Sequence, residues 1–366
     1  MKILHINTER TWRGGEQQTL YLLQGLTARK VDCHLVCQPD SPMAARALEA
    51  GLAVFPIPMR GEADLLAAYQ LRKLINKFHY NIVHSHTSHA HTLAFGASAG
   101  SRIQRLVTRR VDFSIFRHSF LKLSGIKYLH MADYYIAISR KIKAVLVSDG
   151  VPEERIFVVY SGVDPERFAG ISYDHLISEF NLNGDERIVI NVAHLAGHKG
   201  QQFLIKAIPR VLSKLPHTRF FIVGGGELID ELAGLASFLG LQQELVFTGF
   251  RQDVGAFYQM ADLFVMSSIQ EGLGTAVIDA LALGKPVVAT SAGGLGEIIR
   301  NGETGRLVKA ADPVALADGI IEMLTQTDRA HRMAAKGQIE VGEHFSIDAM
   351  ITENIKVYHE ILSEKS

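Results

Sequence analysis

The sequence has few cysteines, no long apolar run and no excess of charge of either sign. Its two cysteines, Cys33 and Cys37, share one apolar stretch and give no disulfide framework, so we expect buried thiols in a reducing compartment. No run approaches the roughly 20 apolar residues of a membrane-spanning helix. Basic and acidic residues number 38 each, so no overall electrostatic field favours nucleic acid. The opening residues MKILHIN resemble a strand rather than a signal peptide, which predicts a cytoplasmic protein.

The chain is long enough for two α/β domains. It has 366 residues, 47% of them hydrophobic and 21% charged. Strand-length apolar runs alternate with helical patterns in two successive series, which predicts βαβ units with parallel sheets. We therefore expect two facing Rossmann-like domains with a cleft between them, at residues 1–165 and 166–346. A helix at about 347–366 either caps the second domain or returns to the first.

The stretch SSIQEGLGTAVIDALALGKP, residues 267–286, combines a strand end, a glycine turn and a helix. Free amides and the positive end of the helix dipole make such a turn a site for anions. Glu271 precedes the turn and Asp279 lies inside the helix. The spacing suits an elongated ligand, with a diphosphate over the amides and hydroxyl groups near each acid. Ordinary acidic decoration of a helix start remains the alternative.

Two further segments have the chemistry of phosphate contacts. Gly14 and Gly15 open the first helix, where backbone N–H groups can approach a phosphate or sugar closely. Lys199 follows a strand and is a candidate counter-charge for a diphosphate. A plain strand-to-helix turn and a solvated lysine are the alternatives.

These segments resemble the E-x7-E signature and accompanying motifs of family 4 of the retaining GT-B glycosyltransferases, which includes lipopolysaccharide-core and mannosyl transferases. The similarity runs through the whole chain. The segments that match, in the family's order, are WRGGEQQ (12–18), NIVHSH (81–86), SGVD (161–164), VAHLAGHKG (192–200), GGGE (224–227), TGF (248–250) and EGLGTAVID (271–279).

The resemblance implies a GT-B fold and a role for each matched residue. It implies that His86, Lys199 and Glu271 are catalytic and that the nucleotide sugar, a UDP- or GDP-sugar, is a substrate rather than a cofactor. The implied donor-binding residues are Gly14, Gly15, His194, Gly272, Leu273, Gly274, Thr275 and Asp279. The sequence departs from the family twice, because His194 replaces the usual arginine and Asp279 the usual glutamate. Either a protonated His194 or another base such as Arg251 takes the place of the arginine.

Two other clusters invite a functional interpretation. His84, His86, His89 and His91 have no compact zinc spacing and no acid or cysteine nearby, so we expect no metal. Residues 101–143 are strongly basic, which favours an anionic membrane or glycolipid acceptor over a plain solvated face. The residues of this predicted membrane or acceptor patch are Arg109, Arg110, Arg117, Lys122 and Lys127.

The resemblance implies a retaining, metal-independent transferase with a nucleotide-sugar donor. We expect its acceptor to be a cell-envelope glycan or glycolipid, similar to lipopolysaccharide, and its location to be cytoplasmic with peripheral contact to the plasma membrane. A sugar-nucleotide 2-epimerase and an inactive glycan-binding homologue are the alternatives. A nicotinamide dehydrogenase is excluded because the G-x-G-x-x-G spacing is missing.

Overall fold

A computed structural model describes residues 1–116 and 124–363 of the chain. The chain forms two compact units. The first contains Met1–Gly162 and the residues from Ser346 onward, and the second contains Val163–Phe345.

The first unit is built on a seven-stranded sheet in which every neighbouring pair is parallel. Its strands are β1 (Lys2–Ile6), β2 (Asp32–Cys37), β3 (Val54–Pro56), β4 (Ile82–Ser85), β5 (Gln104–Arg109), β6 (Tyr134–Ala137) and β7 (Ile156–Val158). The order is β3-β2-β1-β4-β5-β6-β7. Strands before β4 are added on one side of β1 and later strands on the other, so the strand order changes direction between β1 and β4. Open α/β sheets bind ligands at such a point, outside the carboxyl ends of the strands.

Helices cover both faces of this sheet. They are α1 (Gly14–Ala28), α2 (Pro42–Glu49), α3 (Leu65–Phe78), α4 (Ser88–Ser98), α5 (Ser124–His130) and α6 (Arg140–Ser148). Side chains accept hydrogen bonds from first-turn amides at the starts of α2, α3, α4 and α6, which fixes where these helices begin. Leu4 and Val83 pack with α3 and α4, while Ile3 and Leu35 pack on the opposite face.

The second unit is built on a six-stranded parallel sheet in the order β10-β9-β8-β11-β12-β13. Its strands are β8 (Arg187–Val192), β9 (Thr218–Val223), β10 (Leu245–Gly249), β11 (Leu263–Met266), β12 (Val287–Thr290) and β13 (Arg306–Val308). Its helices are α7 (Asp174–Glu179), α8 (Gln201–Leu212), α9 (Ile229–Phe238), α10 (Val254–Met260), α11 (Thr275–Ala282), α12 (Leu295–Ile298), α13 (Pro313–Thr325) and α14 (Thr327–His344).

The last helix, α15 (Ile347–Ser363), packs on α1 of the first unit. Its Ile351 and Tyr358 belong to the core that also contains Leu23. Gly25 makes the approach possible, since a Cβ there would lie 1.9 Å from Ile351 Cδ1. Of the two placements that the sequence allows for this helix, the chain adopts the return to the first unit.

The alternation of strands and helices follows the predicted pattern of βαβ units. The sequence pattern predicted neither strand β13 nor helices α2, α5, α6, α7, α12 and α14. Within the described ranges, no helix is both long enough and apolar enough to cross a bilayer.

Candidate active site

The turn before α11 has the geometry of an anion site. Ser267 and Ser268 directly follow β11, and both are fully buried. Gly274 adopts φ +97° and caps α11 without a side-chain hydrogen bond, a backbone conformation that favours glycine. The Leu273 side chain is buried, so this residue can offer a ligand only its backbone. The turn thus leads from a buried strand end directly to a helix N-terminus, where α-helices attract anions.

Glu271 is buried and held by polar contacts on its side chain and backbone. Its Oε2 lies 2.7 Å from Lys199 Nζ and 3.0 Å from Ser268 Oγ. Its carbonyl oxygen accepts the Gly294 N–H at 3.0 Å. Lys199 follows β8 and Glu271 follows β11, which are neighbouring strands, so parallel pairing brings the two predicted catalytic residues together.

Asp279 lies within α11 and faces Arg167. The Arg167 Nη2 atom is 3.1 Å from Asp279 Oδ2, and the Asp279 side chain is 13% exposed. Burial raises the pKa of Asp279 to about 6, against the opposing effect of the Arg167 charge. Arg167 was not among the predicted site residues, because nothing in the spacing links it to a residue so far along the chain.

His194, the residue at the family's arginine position, pairs with an acid. Its Nε2 is 3.1 Å from Glu227 Oε2, and both side chains are about half exposed or more. The glycines before Glu227 permit this approach, because a Cβ on Gly226 would lie 2.4 Å from the Leu195 carbonyl oxygen. His194 and Lys199 therefore lie in one loop region of the second unit, where His194 is solvent-accessible and Lys199 is bonded to Glu271.

In the first unit, the glycine turn packs against an arginine. Gly15 lies in the first turn of α1, and a Cβ there would be 3.4 Å from Arg110 Cδ. Glu16 accepts the Arg13 N–H at 3.1 Å and the Asn7 side-chain amide at 3.2 Å, which fixes the start of the helix. Gly14 and Gly15 thus lie at a defined helix N-terminus beside a half-buried guanidinium.

His86 belongs to a network of buried imidazoles. His86 Nε2 lies 3.0 Å from His5 Nδ1. The neighbouring His84 contacts Tyr358 Oη at 2.8 Å and Thr108 Oγ1 at 2.7 Å. Burial, with smaller effects of the neighbouring rings and Arg110, holds the pKa of His84 and His86 well below the ordinary value, so both are neutral. His5 was missed because only the register of β1 with β4 places it beside His84.

In the part of the chain that the structure describes, His5, His84 and His86 are the residues whose nitrogens approach closely enough to hold a metal ion. Both His84 ring nitrogens already contact hydroxyl groups, so a metal would have to displace one of them. The arrangement suits a hydrogen-bonded network of neutral rings better than a metal centre. His89 and His91 do not belong to this cluster.

The predicted exposed basic patch requires a correction. Arg109 is buried, and its guanidinium donates to Tyr128 Oη at 2.6 Å and to the Phe113 carbonyl at 2.7 Å. Lys127 is buried, where it pairs with Glu62 and donates to Ser88 Oγ at 2.8 Å. Both charged side chains make contacts inside the first unit, so they do not form an exposed basic surface. Arg110 packs at the glycine turn instead, and Arg117 and Lys122 lie outside the described residues.

Comparisons with known proteins agree with the architecture. The sequence model described as "Glycosyltransferase Family 4" matches residues 12–167, and the one described as "Glycosyl transferases group 1" matches residues 173–339. A crystal structure of the Anabaena protein HepE in complex with UDP and glucose superposes with a TM-score of 0.85. It is 21% identical and covers 98% of this chain and 100% of its own. The fold is therefore that of the GT-B glycosyltransferases.

Glycosyltransferases with similar sequences support the same family. A GDP-mannose-dependent phosphatidylinositol monomannoside mannosyltransferase of Mycolicibacterium smegmatis is 31% identical over 280 residues, which are 70% of this chain and 72% of the relative. A lipopolysaccharide core biosynthesis glycosyltransferase of Rhizobium meliloti is 32% identical over 188 residues, 51% of this chain and 53% of its own. With its two domain matches and these relatives, the chain belongs to glycosyltransferase family 4.

Proposed function

We propose that this glycosyltransferase moves a sugar from a UDP- or GDP-sugar to a cell-envelope glycan or glycolipid, with retention of anomeric configuration and without a metal ion. The observation that carries the proposal is the turn before α11, where Glu271 bonded to Lys199 precedes a helix N-terminus that contains Asp279. The donor is proposed from the bound UDP of one structural neighbour and the GDP-mannose dependence of one relative.

Each residue has a separate role in the proposed donor site. The diphosphate lies over the amides of residues 272–275, with Lys199 as its main counter-charge and His194 as a second donor of hydrogen bonds. Glu271 binds hydroxyls of the transferred sugar, and Asp279 accepts hydrogen bonds from the ribose diol. The Lys199 ammonium has three N–H donors, so it can keep its bond to Glu271 while it donates to the diphosphate.

The first unit supplies the acceptor side in this proposal. His86, neutral and bonded to His5, donates or accepts one hydrogen bond with the transferred sugar. Gly14 and Gly15 allow close approach of the α1 amides to the donor phosphate or sugar.

The proposed mechanism is attack on the face that the nucleotide leaves. A donor phosphate oxygen takes the proton of the acceptor hydroxyl as the glycosidic bond to the diphosphate breaks. The protein contributes positioning and stabilises the charge on the leaving diphosphate. Because cationic side chains and helix amides perform the second task, no divalent metal is needed.

A lipopolysaccharide-like acceptor and a location at the inner face of the plasma membrane complete the proposal. Support comes from the relatives, of which one acts on a phosphatidylinositol mannoside and another in lipopolysaccharide core synthesis.

The experiment has two steps. A thermal-shift screen of UDP-, GDP-, ADP- and CMP-sugars identifies the donor, because a ligand that binds the folded state raises the melting temperature. Release of nucleoside diphosphate is then measured with bacterial envelope lipids, with and without EDTA, and the anomeric configuration of the product is read by NMR. We expect acceptor-dependent release, retention and no effect of EDTA.

Three results would contradict parts of this proposal. Conversion of the sugar nucleotide without an acceptor would favour the epimerase. Binding without any release, in wild type and Glu271→Gln alike, would favour an inactive glycan-binding protein. Inverted product or loss of transfer in EDTA would refute the proposed mechanism.

A further inference from the structure

Helix α3 presents an apolar face to solvent at its first turns. Leu65, Leu66 and Tyr69 are 83%, 65% and 56% exposed. Tyr69 follows Leu66 by three residues and Leu65 by four, which places all three on one side of the helix. The opposite side carries Ala67, Leu71 and Ile75, which are buried in the core under the sheet. Helix α3 therefore has a second apolar face beyond the one that its packing requires.

Positive charge accompanies this face. The sequence of α3 contains Arg72, Lys73 and Lys77 and no acid. Lys73 Nζ lies 5.0 Å from the centre of the Tyr69 ring. In the described chain, neither Lys73 nor Lys77 forms an ion pair. Lys77 Nζ lies 5.2 Å from the centre of the Phe78 ring. Exposed leucines and a tyrosine followed by basic residues without an acidic partner are typical of helices that lie in the interface of an anionic bilayer.

The two acids that precede α3 in the chain have partners outside the helix's basic residues. Asp64 caps α3 and accepts the Ala67 N–H at 3.0 Å. Glu62 is paired with Lys127 and accepts from Ser88 Oγ at 3.3 Å. Neither acid forms an ion pair with a basic residue of α3.

The position of α3 connects this face to the site. The helix follows β3, so its first turn lies at the carboxyl edge of the parallel sheet, where the glycine turn after β1 and His86 after β4 also lie. Glu62, in the loop before α3, is bonded to Ser88, the first residue of α4. The apolar face and the proposed acceptor-side residues thus belong to one edge of one sheet.

We propose that α3 is the surface that docks this protein on an anionic phospholipid membrane. Leu65, Leu66 and Tyr69 enter the headgroup region, and Lys73 and Lys77 contact acidic headgroups. The proposal deepens the proposed function, on which it rests, by giving the membrane contact a place other than the buried Arg109 and Lys127. Phe238 is equally exposed at 86%, but its helix α9 carries two acids and no basic residue.

Vesicle sedimentation with the full-length protein tests the proposal. The probes are vesicles of phosphatidylcholine alone and of phosphatidylcholine with an equal amount of phosphatidylglycerol. We expect binding to the anionic vesicles only, and a loss of binding in high salt because the screening length falls as salt rises. Leu65→Ser/Leu66→Ser/Tyr69→Ser and Lys73→Gln/Lys77→Gln should each weaken binding at least tenfold. Phe238→Ser, a matched exposed position, should bind like wild type.

Two results would overturn the inference. One is anionic-vesicle binding by the triple serine variant at the wild-type level. The other is no vesicle binding by wild type, with concentration-dependent association in sedimentation that the serine variant abolishes, since the face would then be a contact between protein molecules. The thermal shift with the donor nucleotide sugar should be the same in wild type and triple variant. That control shows folding, and it separates failure of membrane docking from failure of the proposed transferase activity.

Discussion

Lys199 Nζ and Glu271 Oε2 lie 2.7 Å apart, with side chains that are 18% and 9% exposed. The pair joins the loops that follow the neighbouring strands β8 and β11, and Ser268 donates to the same carboxylate oxygen. A carboxylate at this depth depends on its partner, because removal of one member leaves the other charge buried without compensation.

Lys199→Ala should therefore lower the stability of the second unit as well as activity. We expect a loss of about 3 kcal/mol in the free energy of unfolding. Adding Glu271→Gln to this variant should restore much of that loss but none of the activity. Urea denaturation at pH 7.5 measures the free energy of unfolding, and release of nucleoside diphosphate measures activity, with the exposed Lys214→Ala as control. Equal stability of the single and double variants would show that the pair is not coupled.

Gly293 places the backbone of Glu271. Its φ is +55°, and a Cβ there would lie 1.7 Å from the Glu271 carbonyl oxygen. Gly293→Ala should displace Glu271 and reduce the transfer rate at least tenfold, together with a lower melting temperature. Gly296→Ala is the matched control, because a Cβ at that position has no atom within 4 Å. Similar transfer rates for the two variants would contradict this role.

Arg167 should set the pH at which the nucleotide binds. The ribose hydroxyls need an ionised Asp279, so affinity should rise as pH increases through the pKa of about 6. The Arg167 charge lowers the pKa of Asp279. Arg167→Gln should therefore raise this pKa and move the midpoint of the pH dependence of nucleotide affinity to higher pH. Arg167→Lys should stay near wild type. Calorimetric titration of the nucleotide from pH 5 to 8 gives the three midpoints, and an unchanged midpoint in Arg167→Gln would refute the prediction.

Asp279→Asn should stabilise the protein without ligand. A carboxyl whose pKa is about 4 when unfolded and about 6 when folded stabilises the fold below pH 4. That contribution is lost as pH rises through 6. Asparagine does not titrate, so the difference in melting temperature should favour Asp279→Asn increasingly between pH 4 and 6 and then level off. A difference independent of pH would show that burial does not raise the pKa of Asp279.

The sequence was sufficient for much of the fold and for the residues of the turn before α11. Regular alternation of apolar runs predicts the two sheets, and a strand, glycine turn and helix in succession predict the helix N-terminus. A three-residue strand such as β13 carries too little pattern, and the buried face of α14 consists largely of alanine and glycine, which give a weak apolar signal.

The pairing of distant residues could not be read in the same way. Arg167 and Asp279 are 112 residues apart and neither lies on a strand. His5 and His86 meet only because β1 pairs with β4 in one register. Arg109 and Lys127 illustrate the opposite error. A basic run looks exposed in sequence, yet Tyr128, the Phe113 carbonyl and Glu62 provide buried partners that only the fold brings together.

The separate roles of Glu271 and Asp279 are tested most directly by steady-state kinetics of two alanine variants with the identified donor. Glu271→Ala should cut kcat at least a hundredfold, because Glu271 contacts the transferred sugar. Asp279→Ala should raise the donor KM far more than it lowers kcat, because Asp279 holds the ribose. Equal changes of kcat and KM in both variants would contradict this division of roles.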